Sequence, residues 1–332
     1  MKLASVDQIK EIDLLSTSKY KIPSKTRMEI AGFKCFEIIK KEYGPKNVLL
    51  VVGTGNNGGD GLVVAKYLRI YGLKCEILTI NNSKKRSSDY LENLNIVKKL
   101  KIKIMRSPKG LNLKKFDLII DALFGVGLNR DLTKEVSNLI NRINSTKIPI
   151  CSLDIPSGLN ADTGLAYGAC MNSDLTITFD FVKPGLLTDP GYKYSKKIHL
   201  VKLATPIELS NKLNNFFVDD NFFNNFFKAR NKSANKGSFG HVLVIGGSRN
   251  MSGAISIAGL SAYKSGCGLV TLCIPKCISN ALKKKFPESI FIEIPNSSDG
   301  STMNEEFFIK EVKKRLTKKP SAVVIGPGMG NR

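Results

Sequence analysis

Residues 48–61 read Val-Leu-Leu-Val-Val-Gly-Thr-Gly-Asn-Asn-Gly-Gly-Asp-Gly, and Leu-Val-Val-Ala follows at 62–65. The continuous apolar run predicts a strand that is buried on both faces, and the residues after the glycines are apolar at helical spacing. A strand, a glycine-rich loop and a helix in this order present backbone N–H groups and a helix N-terminus, which together favour phosphate binding.

The spacing within this loop differs from two common nucleotide-binding motifs. It is not the Gly-x-Gly-x-x-Gly of dinucleotide-binding domains, and no Gly-Lys-Ser/Thr of a P-loop follows. Two asparagines and an aspartate stand in the loop instead, and they supply oxygen ligands and directed hydrogen bonds. An ordinary tight turn between strand and helix is the alternative, but the Asn-Asn-Gly-Gly-Asp-Gly core favours a functional loop.

The composition is that of a globular protein with a substantial core. The chain has 332 residues, of which 42% are hydrophobic and 24% charged, so two domains are expected. The net charge of +23 would suit nucleic acid, but the lysines are spread over the whole length, so we expect no nucleic-acid partner. The positive field would still favour an anionic substrate.

The seven cysteines are odd in number and scattered, which predicts reduced thiols in a cytoplasmic protein. Cys273 and Cys277 have no second pair at zinc-ligand spacing, so a zinc site is not expected. No apolar run reaches membrane-spanning length and the first residues do not open a secretory signal, so we expect no membrane partner.

Apolar strands alternate with amphipathic helices along the first two thirds of the chain. This pattern predicts an α/β fold in which helices cover both faces of a mostly parallel sheet, a Rossmann-like three-layer αβα domain. The predicted strands are 48–52, 75–80, 102–105, 117–121, 148–154, 175–179 and 198–203, and the predicted helices are 6–15, 24–42, 61–71, 89–100 and 134–143. Since ligands bind beyond the carboxyl ends of parallel strands, three loops are selected: 53–60, 122–131 and 155–162.

The domain boundaries follow from a change of pattern after residue 202. We predict a first domain at 1–213, a Phe- and Asn-rich linker at 214–229 and a second domain at 230–332. The second domain starts with a strand at 241–245, a helix at 253–264 and a strand at 269–274. Its last predicted strand, 322–325, leads into a glycine turn at 326–330, so we expect only the N-terminal part of an α/β domain.

Polar side chains follow neighbouring strands of the first domain. Asp121 and Asp154 each end an apolar run, where burial would perturb a carboxylate, although either could simply cap the next turn. Asn57, Asp121 and Ser157 offer oxygen ligands with one formal charge, which suits a monovalent cation better than zinc. Arg130 is either a phosphate contact or a surface charge.

Four motifs in order resemble the NAD(P)H-hydrate epimerases of the YjeF N-terminal domain family over about residues 5–210. They are Met28-Glu29-x-Ala31-Gly32, the Gly-x-Gly-Asn-Asn-Gly-Gly-Asp-Gly of 53–61, Asp121-Ala122-Leu123-Phe124-Gly125-x-Gly127-Leu128 and Leu153-Asp154-Ile155-Pro156-Ser157-Gly158-Leu159. The resemblance implies one potassium ion per site, held by Asn57, Asp121 and Ser157, and Asp154 as the catalytic residue at the reactive ring. It implies that the substrate is bound by Asn56, Asn57, Gly58, Gly59, Asp60, Gly125, Val126, Gly127, Leu128, Asn129, Arg130, Asp131 and Asp154.

The chain from about residue 230 resembles the ribokinase-like, ADP-dependent NAD(P)H-hydrate dehydratases. The residues that carry the resemblance are Lys236-Gly237-x-Phe239-Gly240-His241, Gly246-Gly247-Ser248, Met251-x-Gly253-Ala254, Gly266-x-Gly268 and Gly326-Pro327-Gly328-Met329-Gly330. Ala254 and Gly328 match substrate-contacting positions. The family's Pro-His-Pro-Gly segment and its late glycine-rich loop with a catalytic aspartate do not occur in the sequence. We therefore expect an incomplete domain without dehydratase (lyase) activity, and ADP or ATP only as a cofactor of a complete one.

The expected function is metabolite repair by interconversion of the R and S epimers of hydrated NADH or NADPH (NADHX and NADPHX) at ring carbon 6. The expected partners are that substrate, a separate dehydratase acting downstream and, as an open option, further copies of the chain in a homo-oligomer. The alternative is a non-catalytic nucleotide- or RNA-binding scaffold of the same fold. Retention of the polar set Asn57, Asp60, Asp121, Asp154 and Ser157 favours the enzyme.

Overall fold

The computed structural model describes residues 1–80, 86–226, 230–231, 233–316 and 319–330. These residues form two compact units, Met1–Phe226 and Phe227–Arg332. The segment assigned to the linker, 214–229, contributes to the first unit an isolated bridge from Phe216 to Lys2 and a short helix at Asp220–Phe226, and its residues 227–229 lie outside the described part.

The first unit is a seven-stranded sheet with helices on both faces, which confirms the predicted α/β class. All its described strand pairings are parallel. The strands are β1 Asn47–Val52, β2 Lys74–Thr79, β3 Lys103–Met105, β4 Leu118–Ala122, β5 Ile150–Leu153, β6 Ser173–Phe179 and β7 Ser195–Val201. The helices are α1 Val6–Ser18, α2 Ser24–Tyr43, α3 Asn56–Ile70, α4 Ser88–Lys99, α5 Lys134–Asn144, α6 Ile207–Asn211 and α7 Asp220–Phe226.

Strand β1 is buried on both faces, as its apolar sequence predicts. Val48, Leu50 and Val52 pack on one side with residues of α2, α3 and α4, whereas Leu49 and Val51 pack on the other side with residues of α5. The strand order is β3-β2-β1-β4-β5-β6-β7, so the chain reverses its direction of growth between β1 and β4. A ligand site is expected at such a reversal, beyond the carboxyl ends of the two strands.

Helix α3 begins earlier than the sequence pattern predicts. The expected start was residue 61, but the helix begins at Asn56 and Gly55 is its N-cap, so the asparagines, glycines and aspartate form its first turns rather than a loop. Close packing explains why glycines occur in a helix here. A β-carbon on Gly58 would lie 2.1 Å from the Gly53 carbonyl oxygen, and one on Gly59 would lie 2.5 Å from the terminal methyl of Met28.

The second unit holds a four-stranded parallel sheet in the order β10-β9-β8-β11. Its strands are β8 His241–Ile245, β9 Leu269–Pro275, β10 Ile290–Ile294 and β11 Ala322–Ile325, and its helices are α8 Ser252–Lys264, α9 Ser279–Lys285 and α10 Glu305–Arg315. Of these elements, β10, α9 and α10 were not predicted from the sequence. Across both units, no described helix combines the length and apolar character needed to cross a membrane.

Candidate active site

A cavity of about 570 Å³ opens at the carboxyl ends of β1, β4, β5 and β6, within the first unit. Helices α1 and α2 complete its wall with Ile9, Ile12, Asp13, Arg27 and Met28. The cavity thus lies where the strand order reverses, at the place that parallel-sheet geometry predicts.

The first turn of α3 contributes Asn56, Asn57 and Asp60 to the cavity wall. Gly58 and Gly59 are not among the lining residues, because they face Gly53 and Met28. A helix N-terminus carries unsatisfied N–H groups and partial positive charge, so this end of the cavity favours an anionic group.

The loop after β4 forms a second wall of the cavity, from Gly125 to Arg130, and Asp131 lies outside the lining. Gly125 is in close contact with two other site residues. A β-carbon there would lie 3.1 Å from the β-carbon of Asn57 and 3.5 Å from Asp154 Oδ2. The absence of a side chain at residue 125 therefore allows the two polar groups to approach the same loop.

Asp154 follows β5 in an unusual backbone conformation. Its φ angle is +65°, a left-handed value that costs a non-glycine residue conformational energy. Two backbone hydrogen bonds hold it there: its N–H donates to the Ile177 carbonyl (2.7 Å), and the N–H of Ile155 donates to the Leu153 carbonyl (2.8 Å). The carboxyl group is thereby fixed in the cavity wall.

Lys183 is the main residue that the sequence analysis missed. Its side chain is only 2% exposed, and its ammonium group donates to Asp154 Oδ1 (2.5 Å), Thr178 Oγ1 (2.9 Å) and the Phe179 carbonyl (3.1 Å). All three protons of Nζ are therefore used, and Asp154 Oδ2 is the oxygen on the side of Gly125. Lys183 lies in the loop after β6. The rule that ligands bind beyond the carboxyl ends of parallel strands selected the loops after three strands, and it would have found Lys183 if it had also been applied to β6.

Asp121 lies behind the cavity, fully buried in β4. Its carboxylate accepts hydrogen bonds from Ser152 Oγ (2.8 Å), Ser157 Oγ (2.6 Å) and the N–H groups of Ser157 (2.8 Å) and Leu123 (3.3 Å). Burial raises the pKa of Asp121 above its usual value, and the hydrogen bonds oppose this shift. Within the described part of the chain, the donors to Asp121 are all neutral, so an added cation would stabilise its negative charge.

The three predicted cation ligands lie together around Phe124. The Asn57 side-chain amide donates to the Phe124 carbonyl (2.8 Å), and Ser157 Oγ accepts from the Phe124 N–H (2.8 Å). Asn57 Oδ1 is buried without a hydrogen-bond partner in the described structure. Asn57 and Ser157 thus both contact Phe124, and Ser157 contacts Asp121. An unpaired buried oxygen, a buried carboxylate and a hydroxyl are a donor set that fits a monovalent cation, since such ions take oxygen ligands.

Asp60 is one of three buried aspartates in the cavity wall, with Asp154 and Asp180, and is 9% exposed. Burial raises the pKa of Asp60 well above its usual value, and the nearby carboxylates of Asp154 and Asp13 add to the shift. Arg27 and Lys183 act in the opposite direction. Arg27 itself is paired with Asp13 through its guanidinium group.

In the second unit, the two predicted substrate-contacting residues lie beside each other. A β-carbon on Gly328 would lie 3.2 Å from the Ala254 β-carbon. The glycine turns at 246–248 and 326–330 follow the neighbouring strands β8 and β11, and the Gly247 N–H donates to the Pro327 carbonyl (2.8 Å). The geometry thus joins the two turns into one surface without assigning it a reaction.

Comparison with known families gives two matches along the chain. Residues 24–185 match the family described as "YjeF-related protein N-terminus", and residues 242–332 match the family described as "NAD(P)H-hydrate dehydratase". The order of the matches is the order of the two compact units.

Individual relatives agree with these matches. An NAD(P)H-hydrate epimerase of Limosilactobacillus fermentum is 38% identical over 192 residues, which are 58% of this chain and 91% of the relative. A bifunctional NAD(P)H-hydrate repair enzyme Nnr of Moorella thermoacetica is 30% identical over 99% of this chain, and the chain spans 64% of that relative's length. The crystal structure of yeast ynu0 covers 66% of this chain and 97% of its own, with a TM-score of 0.56 and 23% identity, so it supports the fold alone.

Proposed function

Because the chain belongs to the NAD(P)H-hydrate repair family and carries its epimerase domain, we propose that its first unit interconverts the R and S epimers of hydrated NADH or NADPH. The epimers differ at ring carbon 6, which carries a hydroxyl group next to the ring nitrogen. Such a centre inverts when the ring opens to an aldehyde and recloses, or when hydroxide leaves and returns. Either route requires a group that moves a proton on or off the hydroxyl.

The observation that carries the proposal is the fixed Asp154–Lys183 pair in the cavity wall. Lys183 occupies Oδ1 of Asp154, so Oδ2 is the oxygen that would meet the substrate hydroxyl. The strained backbone and the buried pair hold this oxygen in place before substrate arrives, which lowers the cost of orientation. In the ring-opening route, Asp154 would accept the hydroxyl proton when the ring opens and return it when the ring closes.

The remaining walls support binding of the anionic part of the nucleotide. The N-terminus of α3 and the loop Gly125–Arg130 offer backbone N–H groups to the diphosphate. We propose that Asn57, Asp121 and Ser157 hold a potassium ion, because the unpaired Asn57 Oδ1 and the buried Asp121 fit one. Such an ion would supply fixed positive charge for binding and would keep Asn57 and the Phe124 loop in position.

We confine the proposal for the second unit to binding. Residues 242–332 match the dehydratase family, but the Pro-His-Pro-Gly segment expected of its catalytic machinery does not occur in the 332 residues. We therefore expect these 332 residues to release no NADH from its hydrate in the presence of ATP or ADP.

The free state of all seven cysteines supports a cytoplasmic protein.

The test is an epimerisation assay on the full chain with Asp154→Asn as the decisive variant. One purified epimer of hydrated NADH is mixed with the protein, and appearance of the other epimer is followed by chromatography. Asparagine tolerates the left-handed backbone and keeps the shape of the side chain, so binding should persist while turnover falls at least about 100-fold. Near-normal turnover by this variant would remove Asp154 from the reaction, and an inactive wild-type chain would refute the function.

A further inference from the structure

Epimerisation through ring opening, at a carbon that bears both a hydroxyl and a ring nitrogen, requires two proton transfers, not one. When the ring opens, the hydroxyl loses a proton while the departing nitrogen takes one up, and reclosure reverses both events. One carboxyl group held at the hydroxyl cannot serve both atoms at once. The cavity should therefore contain a second group that can give and take back a proton.

The cavity wall offers few candidates for this second group. Its carboxyl groups belong to Asp13, Asp60, Asp89, Asp154 and Asp180. Three of these accept hydrogen bonds from protein donors, which favour the ionised form rather than the protonated acid that the nitrogen requires. Asp13 is paired with Arg27, Asp89 accepts from Ser24 Oγ (2.6 Å), and Asp180 accepts from the Leu203 N–H (2.8 Å) and Thr205 Oγ1 (2.6 Å).

The cationic side chains of the wall do not serve either. Lys183 uses its three protons on protein acceptors, and an arginine such as Arg27 or Arg130 does not give up a proton in a protein. Lys10 lies on the exposed part of α1 and pairs with Asp7. Elimination leaves one carboxyl group besides Asp154.

On this basis we propose that Asp60 is the second proton-transfer residue of the epimerase site. The residue is 91% buried in the cavity wall, and its carboxyl group makes no hydrogen bond or ion pair within the described part of the chain. Its oxygens are not among the fully buried unpaired atoms of the described residues, so they are accessible from the cavity, where a bound ligand can reach them. The inference rests on the proposed function, since it concerns the same cavity and reaction.

The environments of the two carboxyl groups differ in the way an acid and a base require. Asp154 is the anionic partner of Lys183, whereas burial and the charges of Asp154 and Asp13 favour the neutral form of Asp60. The groups facing Asp60 are Asp13 from α1, Arg27 from α2, Asp154 after β5 and Lys183 after β6. Two carboxyls with opposed environments are the usual arrangement of an acid–base pair.

The step balances for the route that opens the ring. Asp154 takes the hydroxyl proton, the O–H electron pair becomes the second bond of the aldehyde, and the bond from carbon 6 to the ring nitrogen breaks. Its electron pair stays on the nitrogen, which takes the proton of Asp60. After rotation of the aldehyde, the nitrogen attacks the opposite face, returns its proton to Asp60, and Asp154 reprotonates the oxygen.

The experiment compares Asp60→Asn, Asp60→Glu and Asp7→Asn with the wild-type full chain in the single-epimer assay. Asparagine replaces a neutral carboxyl by a neutral amide of the same shape, so it preserves the fold but carries no transferable proton. We expect kcat of Asp60→Asn to fall about 100-fold or more with KM changed less than about threefold. Asp60→Glu should recover part of the activity. Asp7→Asn, a control at an exposed carboxyl group of α1 outside the cavity lining, should keep kcat within about twofold.

The pH profile gives an independent readout. Asp60 acts in its protonated form, so wild-type kcat should decline as pH rises through the raised pKa of Asp60, and Asp60→Asn should lack this decline. If Asp60→Asn has the same kcat as the wild type, with or without a raised KM, the proposal is overturned while the epimerase function stands. If the wild-type chain does not interconvert the epimers at all, the proposed function itself is refuted.

Discussion

Replacement of Lys183 by methionine should destabilise the first unit strongly. The change removes a buried ammonium group that donates to Asp154, Thr178 and Phe179, while the apolar stem is kept. Asp154 is then left in the cavity wall without its ionic partner. Removing one member of a buried pair costs about 3–5 kcal/mol, so we expect the free energy of unfolding to fall by about 4 kcal/mol.

The variant Asp154→Asn, combined with Lys183→Met, measures how much of the loss in free energy of unfolding comes from the ion pair itself. Asp154→Asn leaves Lys183 with its two neutral acceptors and an amide oxygen, so it should cost less than Lys183→Met. In the double variant no unpaired charge remains, and its cost should fall below the sum of the single costs by about 2 kcal/mol. Lys202→Met is the control, because Lys202 follows the neighbouring strand, is exposed and donates to one backbone carbonyl, of Asp180.

Buried cysteines provide the assay, since the chain has no tryptophan. Cys35 and Cys151 are fully buried in the first unit and Cys273 in the second, so each thiol is labelled only after its own unit opens. Labelling rates measured by mass spectrometry at increasing urea give the free energy of opening of each unit. A loss below about 1 kcal/mol for Lys183→Met, or no coupling in the double variant, would refute the assigned role of the pair.

Three further outcomes follow from the geometry. Asp60→Asn should raise the free energy of unfolding at pH 8 but not near pH 4. Because the pKa of Asp60 is raised in the folded state, the wild-type protein loses stability as pH rises above the pKa of about 3.9 that the residue has in the unfolded chain. Urea titrations of both proteins at the two pH values measure the difference. Gly58→Ala should lower the free energy of unfolding by about 3 kcal/mol, because the added β-carbon would lie 2.1 Å from the Gly53 carbonyl oxygen. Gly127→Ala is the control: no atom lies within 4 Å of its added β-carbon, so the loss in a urea titration should stay below about 0.5 kcal/mol. Potassium chloride should stabilise the first unit more than choline chloride at equal ionic strength, by about 2.7 kcal/mol at 100 times the dissociation constant. Asn57→Ala should abolish this difference, and equal stabilisation of wild type by both salts would contradict the cation site.

The sheet of the first unit was predictable because its strands are buried on both faces. Such strands have nearly continuous apolar sequences, as in β1 and β4, and the polar residues that follow them mark the ends where ligands bind. The start of α3 was not predictable in the same way. Glycine and asparagine normally favour loops, and here tight packing against Gly53 and Met28 overrides that preference.

The remaining part of the site depends on contacts between distant segments. Asp13 and Arg27 lie on different helices and meet only because α1 and α2 pack over the same cavity. No spacing in the sequence relates them, so periodicity could not predict the pair. Strand β10 reads Ile-Phe-Ile-Glu-Ile, an apolar signal as clear as that of the shorter β11, so it could have been predicted from the sequence.

A comparison of Asp154 with Asp180 shows what the backbone alone decides. Asp180 follows β6 with φ +55°, and its N–H and that of the next residue make the same two contacts, to Val201 and Phe179, that Asp154 and its neighbour make one strand earlier. Both aspartates end an apolar strand and both line the cavity, so neither sequence pattern nor strain distinguishes them. Their partners do: the Asp180 carboxylate is occupied by Leu203 and Thr205, whereas Asp154 gives one oxygen to Lys183 and keeps the other beside Gly125. Reactivity at this sheet edge therefore depends on which side chains satisfy each carboxylate, which is why Lys183 matters as much to the proposed chemistry as the glycine-rich start of α3.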